Sequence, residues 1–257
     1  SFAERRGAFV LDKGTYIIRI GNCSFGTKVC GAVILDSEAV ISRHDKICSG
    51  VRHVRELPAP KITYEALPKR IKPLHLSSTA FTAEKYDYKT PDIRHSKKLD
   101  KLMKELSLKD MARLCTGETM EPEGKKYMEA PGSAGYTTDR LLKKKIPNIS
   151  LADGPAGLRL LKESYTARDK VLYQYTTAFP VEICLAQTWN LPLVQEIGYA
   201  VSEEMSVYGV SCWLAPALNI HRNPLCGRNF EYFSEDPYLS GKMAAAIVNG
   251  VQKIPGN

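Results

Sequence analysis

Hydrophobic and polar positions along the chain change their spacing twice. In the first 47 residues they alternate every second position. "GTYIIRIGN" sets Tyr16, Ile18 and Ile20 on one face and Ile17 and Arg19 on the other. "TKVCGAVILD" sets Val29, Val33 and Leu35 against Cys30, Ala32 and Ile34. A period of two is that of a strand, and Gly14, Asn22 and Gly26 supply the turns. Two strands, or three, are predicted here, where a sandwich needs about seven. Residues 48–97 carry neither a period of two nor one of 3.6. Pro58, Pro60, Pro68, Pro73 and Pro91 recur among basic residues, which predicts an extended linker and a domain boundary.

From residue 98 the pattern is that of alternating strands and helices. "LDKLMKELSLKDMARLCTG" is helical, with Ser107 as an N-cap, Asp110 in the first turn and Gly117 as the stop. "IPNISLAD" predicts a strand that ends at Asp153. Asn190 caps a helix with Val194, Ile197, Val201, Met205 and Tyr208 on one face and Gly209 at its end. "VSCWLAPALNI" predicts the next buried strand. A further helix opens at Ser234 and buries Leu239, Met243, Ile247 and Val251. Strand, helix, strand, helix in this order implies parallel pairing with a right-handed crossover. The stretch from 98 is long enough for about three strand–helix units, whereas a complete barrel takes about 250 residues.

Composition narrows the class. The chain has 257 residues, 44% of them hydrophobic, which suffices for a core in one large domain or two smaller ones. Nothing resembles a signal peptide, and no apolar run approaches the ~18 residues that span a bilayer. Seven scattered cysteines, without a Cys-x-x-Cys pair, argue against a disulfide framework or a zinc ribbon and for a reducing, cytoplasmic compartment. The net charge of +8 is spread over short basic pairs and one lysine triplet without interleaved aromatics. That is an ordinary solvated surface, so neither nucleic acid nor a membrane is expected as partner. No Gly-rich phosphate loop or His-Glu metal spacing appears; no cofactor and no metal are expected.

Chemistry concentrates at two strand ends. In parallel α/β folds ligands bind at the carboxyl edge of the strands. "LADGPAGLRL" places Asp153 and Arg159 at one such end, where glycines let the backbone turn sharply. "NIHRNPLCGRNFEYFSEDP" places His221, Arg222, Arg228 and Glu231 at the next. Plainer roles fit several of these residues too. Asp153 suits the cap of a Gly-Pro turn, Arg228 and Glu231 an internal ion pair, and His221 and Arg222 structural positions. Spacing alone supports a polyol- or sugar-binding rim, since planar carboxylates and guanidinium groups suit vicinal hydroxyls. None of the acids Asp153, Glu231, Glu235 and Asp236 sits in a context that marks a nucleophile or a proton donor.

"LADGPAGLR", "TAFPVEICLAQTWN" and "NIHRNPLCGRNFEYFSEDPYLSGKMAAAIVNGVQ" together resemble glycoside hydrolase family 3, the β-glucosidase-like family, over residues 98–257. The resemblance implies a TIM-type barrel of which this chain holds the first part. It implies retaining hydrolysis of a terminal β-linked sugar, with an aspartate nucleophile and a glutamic acid as acid and base. It assigns substrate binding to Asp153, Arg159 and Arg228, and less firmly to Arg222. Neither the Lys-His-Phe motif nor the Asp-Trp motif that bears the nucleophile occurs here, and the domain that carries the acid is also absent, so neither catalytic carboxylate is expected within the chain. Residues 1–47 resemble the C-terminal strands of a fibronectin III-like sandwich preceding the barrel, an inverted domain order. The expected partners are a β-glucoside or oligosaccharide, the remainder of the same enzyme, and in a homo-oligomer a second copy; these residues alone are expected to be inactive. A β-xyloside, an α-arabinoside or an N-acetylglucosaminide is the competing substrate on the same fold, with loops 117–147 and 160–180 deciding. A non-catalytic sugar- or nucleic-acid-binding protein is the competitor from another class.

Overall fold

The computed structural model describes residues 2–3, 7–23, 25–44, 66–86, 96–118, 130, 132–165 and 170–253. The chain divides into two compact units, Ser1–Asp92 and Ile93–Asn257.

The first unit contains β1 (Phe2–Ala3), β2 (Ala8–Leu11), β3 (Gly14–Ile20), β4 (Lys28–Leu35), β5 (Ala39–His44), β6 (Leu74–Leu76) and β7 (Glu84–Tyr86). They form two sheets, in the orders β1-β2-β5-β7 and β3-β4-β6. The predicted hairpin is β3–β4, paired antiparallel from Gly14↔Leu35 to Ile20↔Lys28. Its strict alternation fails at a bulge. Ile18 faces Gly31 while Arg19 faces Val29, so Cys30 is the extra residue and the buried positions become Val29, Ala32 and Leu35.

The stretch 48–97, expected as a linker, departs from that expectation. Its residues 74–76 and 84–86 are the strands β6 and β7, which add in parallel to β4 and β5, and the seam between the units falls at Asp92/Ile93. Three-residue strands at a sheet edge need backbone partners rather than a side-chain period, so a pattern search passes over them. Residues 48–65 and 87–95 of that stretch lie outside the described residues.

The second unit opens with α1 (Lys97–Glu105) and α2 (Leu108–Thr116). The predicted helical stretch is thus two helices, because Leu106 and Ser107 are extended and Ser107 starts a new one. A full capping box does this: the Ser107 hydroxyl accepts from the Asp110 N–H, and the Asp110 carboxylate accepts from the Ser107 N–H. Lys144 then bonds both the Glu105 carbonyl and Asp110, at 2.8 Å each. The Lys144 bond, and then those from Ser107, hold the Asp110 carboxyl well below the usual carboxylate range.

After β8 (Gly135–Tyr136), β9 (Ser150–Ala152), β10 (Glu163–Tyr165) and β11 (Val171–Tyr173) come α3 (Glu182–Ala186), α4 (Leu191–Tyr208), β12 (Cys212–Trp213) and α5 (Pro237–Val251). The order in the central sheet is β12-β9-β8. β9 and β12 are parallel, with Cys212 opposite Leu151 and Trp213 opposite Ala152. β8 runs antiparallel to β9. Among the described residues the expected parallel α/β pattern is therefore carried by two strands, fewer than the chain length allowed.

Asn190 caps α4 by accepting from the Leu193 N–H, and Gly209 closes it in the left-handed region. Val194, Val201 and Met205 are buried on its predicted face, with Ile197 and Tyr208 packed beside them. α5 starts later than expected. Asp236, not Ser234, is its cap, because Pro237 takes the first helical position, where no N–H is needed. Met243 and Ile247 are buried as predicted.

α4 and α5 approach each other through glycines. A methyl group on Gly198 would collide with the Ile247 carbonyl oxygen, and one on Gly250 with the Gln195 carbonyl oxygen. The Ser202 hydroxyl donates to the Val251 carbonyl at 2.7 Å across the same contact. Gly250→Ala is expected to lower stability by about 1–3 kcal/mol through forced separation of the helices. Gly241→Ala, on the same helix with open space around it, is expected to raise stability by about 0.5–1 kcal/mol. Urea denaturation of the two variants beside the parent checks both signs.

Candidate functional site

The site is built on the turn that leaves β9. Ala152 is fully buried, and seven residues later the chain has turned back, with the Arg159 N–H donating to the Asp153 carbonyl at 3.0 Å. Two glycines make the turn possible. Gly154 and Gly157 have φ of 115° and 118°, a region that side-chain-bearing residues rarely enter. A side chain at Gly154 would meet the Gly157 carbonyl oxygen, and one at Gly157 the Thr177 carbonyl oxygen. The Phe179 N–H donates to the Ala156 carbonyl at 2.9 Å. The buried Trp213 indole donates to the Gly154 carbonyl at 2.8 Å. The last residue of β12 thus clamps the turn that leaves β9.

On this platform Asp153 and Arg159 form an ion pair at 3.5 Å, with side chains 49% and 78% exposed. A pair this long and this exposed contributes little stability, so its hydrogen-bonding capacity is available to a ligand. Asp153 does not serve as the turn's cap in place of that pair: the turn closes through backbone bonds, Gly157 N–H to Gly154 carbonyl at 3.0 Å and Arg159 N–H to Asp153 carbonyl.

The second cluster lies after β12. The predicted strand over 210–220 shortens to Cys212–Trp213, and the chain then passes through a cis Ala215–Pro216 bond. Arg228 donates through Nε to Glu231 and lies over the Tyr232 ring, 5.9 Å from its centroid. The Glu231 hydrogen bond and charge raise the Arg228 pKa further above its ordinary value, and Asp153 adds to the effect. The remaining predicted residues divide. His221 is structural: its Nε2 lies 3.1 Å from the Tyr232 carbonyl and its N–H donates to the Ser234 carbonyl, which pins the loop. Arg222 is exposed and forms no ion pair among the described residues.

Glu182 belongs to the site, although its sequence context did not single it out. It is fully buried at the start of α3. Its Oε1 accepts from the Ala217 N–H at 2.8 Å, and its Oε2 has no hydrogen-bond partner among the described residues. Burial pushes its pKa up to about 8; the Ala217 bond opposes that rise and the Glu231 charge adds to it. It lines a cavity of about 250 Å³ together with Gly154, Gly157, Arg159, Phe230 and Glu231. The one available signal was a lone acid in the apolar run "FPVEICLA". Of the loops expected to set specificity, residues 119–129, 131 and 166–169 lie outside the described residues.

Residues 147–255 match the model of the glycosyl hydrolase family 3 N terminal domain. The chain is 32% identical to beta-glucosidase A of Butyrivibrio fibrisolvens over 96% of its own length and 32% of that protein's. It is 46% identical to an exo-alpha-(1->6)-L-arabinopyranosidase of Bifidobacterium longum, over 42% of its own length and 14% of that protein's. Among solved structures, beta-glucosidase 3B from Thermotoga neapolitana in complex with alpha-D-glucose superposes with a TM-score of 0.53 at 47% identity, covering 61% of this chain and 21% of that one. The chain thus spans a third or less of each of these proteins.

The buried acid has a measurable consequence. Its folded pKa of about 8 exceeds that of an exposed glutamate, near 4.3. Between these values the folded protein keeps a proton that the unfolded chain releases, so stability falls as pH rises through the window. Glu182→Gln keeps the acceptor for Ala217 and removes the titration. Its stability relative to the parent is expected to rise steadily from pH 4.5 to pH 8 and then level off; a pH-independent difference in denaturant midpoints would contradict this. Residues 147–255, which hold the turn after β9 and both ion pairs, are thus similar to the N-terminal domain of glycosyl hydrolase family 3.

Proposed function

We propose that this chain supplies the sugar-binding rim of a retaining β-glycosidase of β-glucosidase type, acting on terminal non-reducing β-D-glucosyl residues. The observation that carries the reading is the Asp153 carboxylate, half-exposed on a clamped turn and loosely paired with Arg159. A carboxylate accepts two hydroxyl hydrogens at once, and a guanidinium donates to the oxygens of the same or the next pair. Holding the ring by its alcohols fixes the anomeric carbon for attack and lowers the entropic part of the barrier. In the retaining mechanism one carboxylate attacks that carbon while a carboxylic acid protonates the leaving oxygen and later activates water. The reading gives both groups to parts of the enzyme beyond these residues.

Two further observations support it. β12 is the edge of its sheet, and Leu214 and Leu218 beside it are 43% and 67% exposed, as befits a surface that further barrel strands cover. The similarity to the Butyrivibrio protein runs over 96% of the chain, hence through both units. A fibronectin III-like domain placed ahead of the barrel in the complete protein is proposed with it, on the two small sheets of the first unit. A cytoplasmic location is proposed with it, on the free thiols of Cys23, Cys30, Cys115, Cys184, Cys212 and Cys226.

An α-L-arabinopyranoside is the second substrate reading, favoured by the 46% identity to the Bifidobacterium protein. A panel of aryl glycosides separates the two, with the β-glucoside expected to give the highest kcat/KM. In the complete enzyme Asp153→Ala is expected to lower kcat/KM on an aryl β-glucoside by about a hundredfold or more, the cost of two charge-assisted hydrogen bonds. Unchanged kinetics would remove Asp153 from the site.

A further inference from the structure

Asp153 stands between two peptide groups that β12 holds. On one side, Ala152 is fully buried and its carbonyl accepts from the Leu214 N–H at 2.8 Å. On the other, the Gly154 carbonyl oxygen takes two hydrogen bonds, from the Gly157 N–H inside the turn at 3.0 Å and from the Trp213 indole N–H at 2.8 Å. Both acceptor positions of that oxygen are therefore filled. The two bonds from β12 differ in kind. The Leu214 bond continues the parallel ladder of β9 and β12, as ordinary strand pairing provides. The Trp213 bond comes from a side chain and reaches past the ladder into the turn. Its ring is buried in the core with Ala152 and Leu158, so the donor is fixed in place. Gly154 and Gly157, by contrast, have more backbone freedom than any other residue type. Internal bonds alone leave such a turn several arrangements; a bond to a packed ring outside it selects one.

We propose, on the reading of this rim as a sugar site, that Trp213 is a positioning residue for Asp153: its indole N–H fixes the Gly154 peptide and so aims the Asp153 carboxylate at the sugar hydroxyls. The buried indole acts on the sugar through that carboxylate and not by touching it. The backbone bonds that close the turn, Gly157 N–H to Gly154 carbonyl and Arg159 N–H to Asp153 carbonyl, use no side-chain atom of Asp153. Asp153→Ala therefore leaves the Trp213–Gly154 bond in place and removes the group that it aims. A hydrogen bond of ordinary strength biases a local equilibrium by about five- to tenfold. Without it the competent arrangement of the turn becomes the minor one, and kcat/KM falls with its fraction.

The test is a double-mutant cycle on the complete enzyme, read as kcat/KM for an aryl β-glucoside. Trp213→Phe removes the donor together with part of the ring. Replacement of Trp213 by 3-benzothienylalanine puts sulfur where the N–H was, at nearly constant shape. Each change is made with Asp153 present and in the Asp153→Ala background. Both are expected to lower kcat/KM about five- to tenfold when Asp153 is present, and by less than about twofold in the Asp153→Ala background. Equal losses in the two backgrounds, as general loosening or loss of folded enzyme produces, overturn the positioning role. So does a loss with Trp213→Phe that the benzothienyl replacement does not reproduce, because the N–H is then immaterial. Unchanged kcat/KM for both replacements, with a large loss for Asp153→Ala, overturns it too and leaves the sugar site standing. Asp153→Ala without effect overturns both.

Discussion

The hydrogen bond from the Trp213 indole to the Gly154 carbonyl is the constraint on which the rim depends. It joins the end of β12 to the turn that leaves β9, and so it sets the distance between the two polar clusters. Parallel pairing alone aligns only Leu151 with Cys212 and Ala152 with Trp213. Beyond those residues the chains are free to diverge, and a carboxylate on one has no fixed relation to a guanidinium on the other. The indole removes that freedom. The glycines at 154 and 157 complement it: a side chain at 154 would meet the Gly157 carbonyl oxygen within the turn, and one at 157 the Thr177 carbonyl oxygen. An acid follows a buried strand here because the turn after it is held from both sides and cannot fold over the carboxylate.

The charges on that platform are balanced unequally. Asp153 and Arg159 are exposed and loosely paired, which suits groups that exchange a partner for substrate hydroxyls. Arg228 and Glu231 are tightly paired, and Glu231 is the more buried of the two. Glu182 lies deeper and anchors Ala217 without using its second oxygen. The order from surface to interior is thus a weak pair, a strong pair and a neutral acid.

Much of this was legible in the sequence, for identifiable reasons. α4 and α5 show a 3.6 period because one face is buried along their whole length, so Val194, Val201, Met205, Met243 and Ile247 could be named. The caps at Ser107 and Asn190 were legible because they depend on a side chain a few residues from the helix start. Asp153, Arg159 and Arg228 stand out in the sequence because glycines and polar residues interrupt an apolar pattern there. The misses share one cause: they are fixed by partners distant in sequence. β6 and β7 exist through backbone pairing with β4 and β5, the bulge at Cys30 through the register of its neighbour, and the importance of Glu182 through Ala217 and Glu231. A proline, Pro237, moved the start of α5 by occupying a place that the preceding serine had seemed to claim.

The most direct measurement of the central claim is a crystal structure of the complete enzyme with glucose bound. The account predicts two adjacent ring hydroxyls at about 2.6–3.2 Å from the Asp153 carboxylate oxygens, with Arg228 on the same sugar and the Trp213–Gly154 bond intact. Glucose bound away from this turn, with Asp153 still engaged only by Arg159, would contradict it.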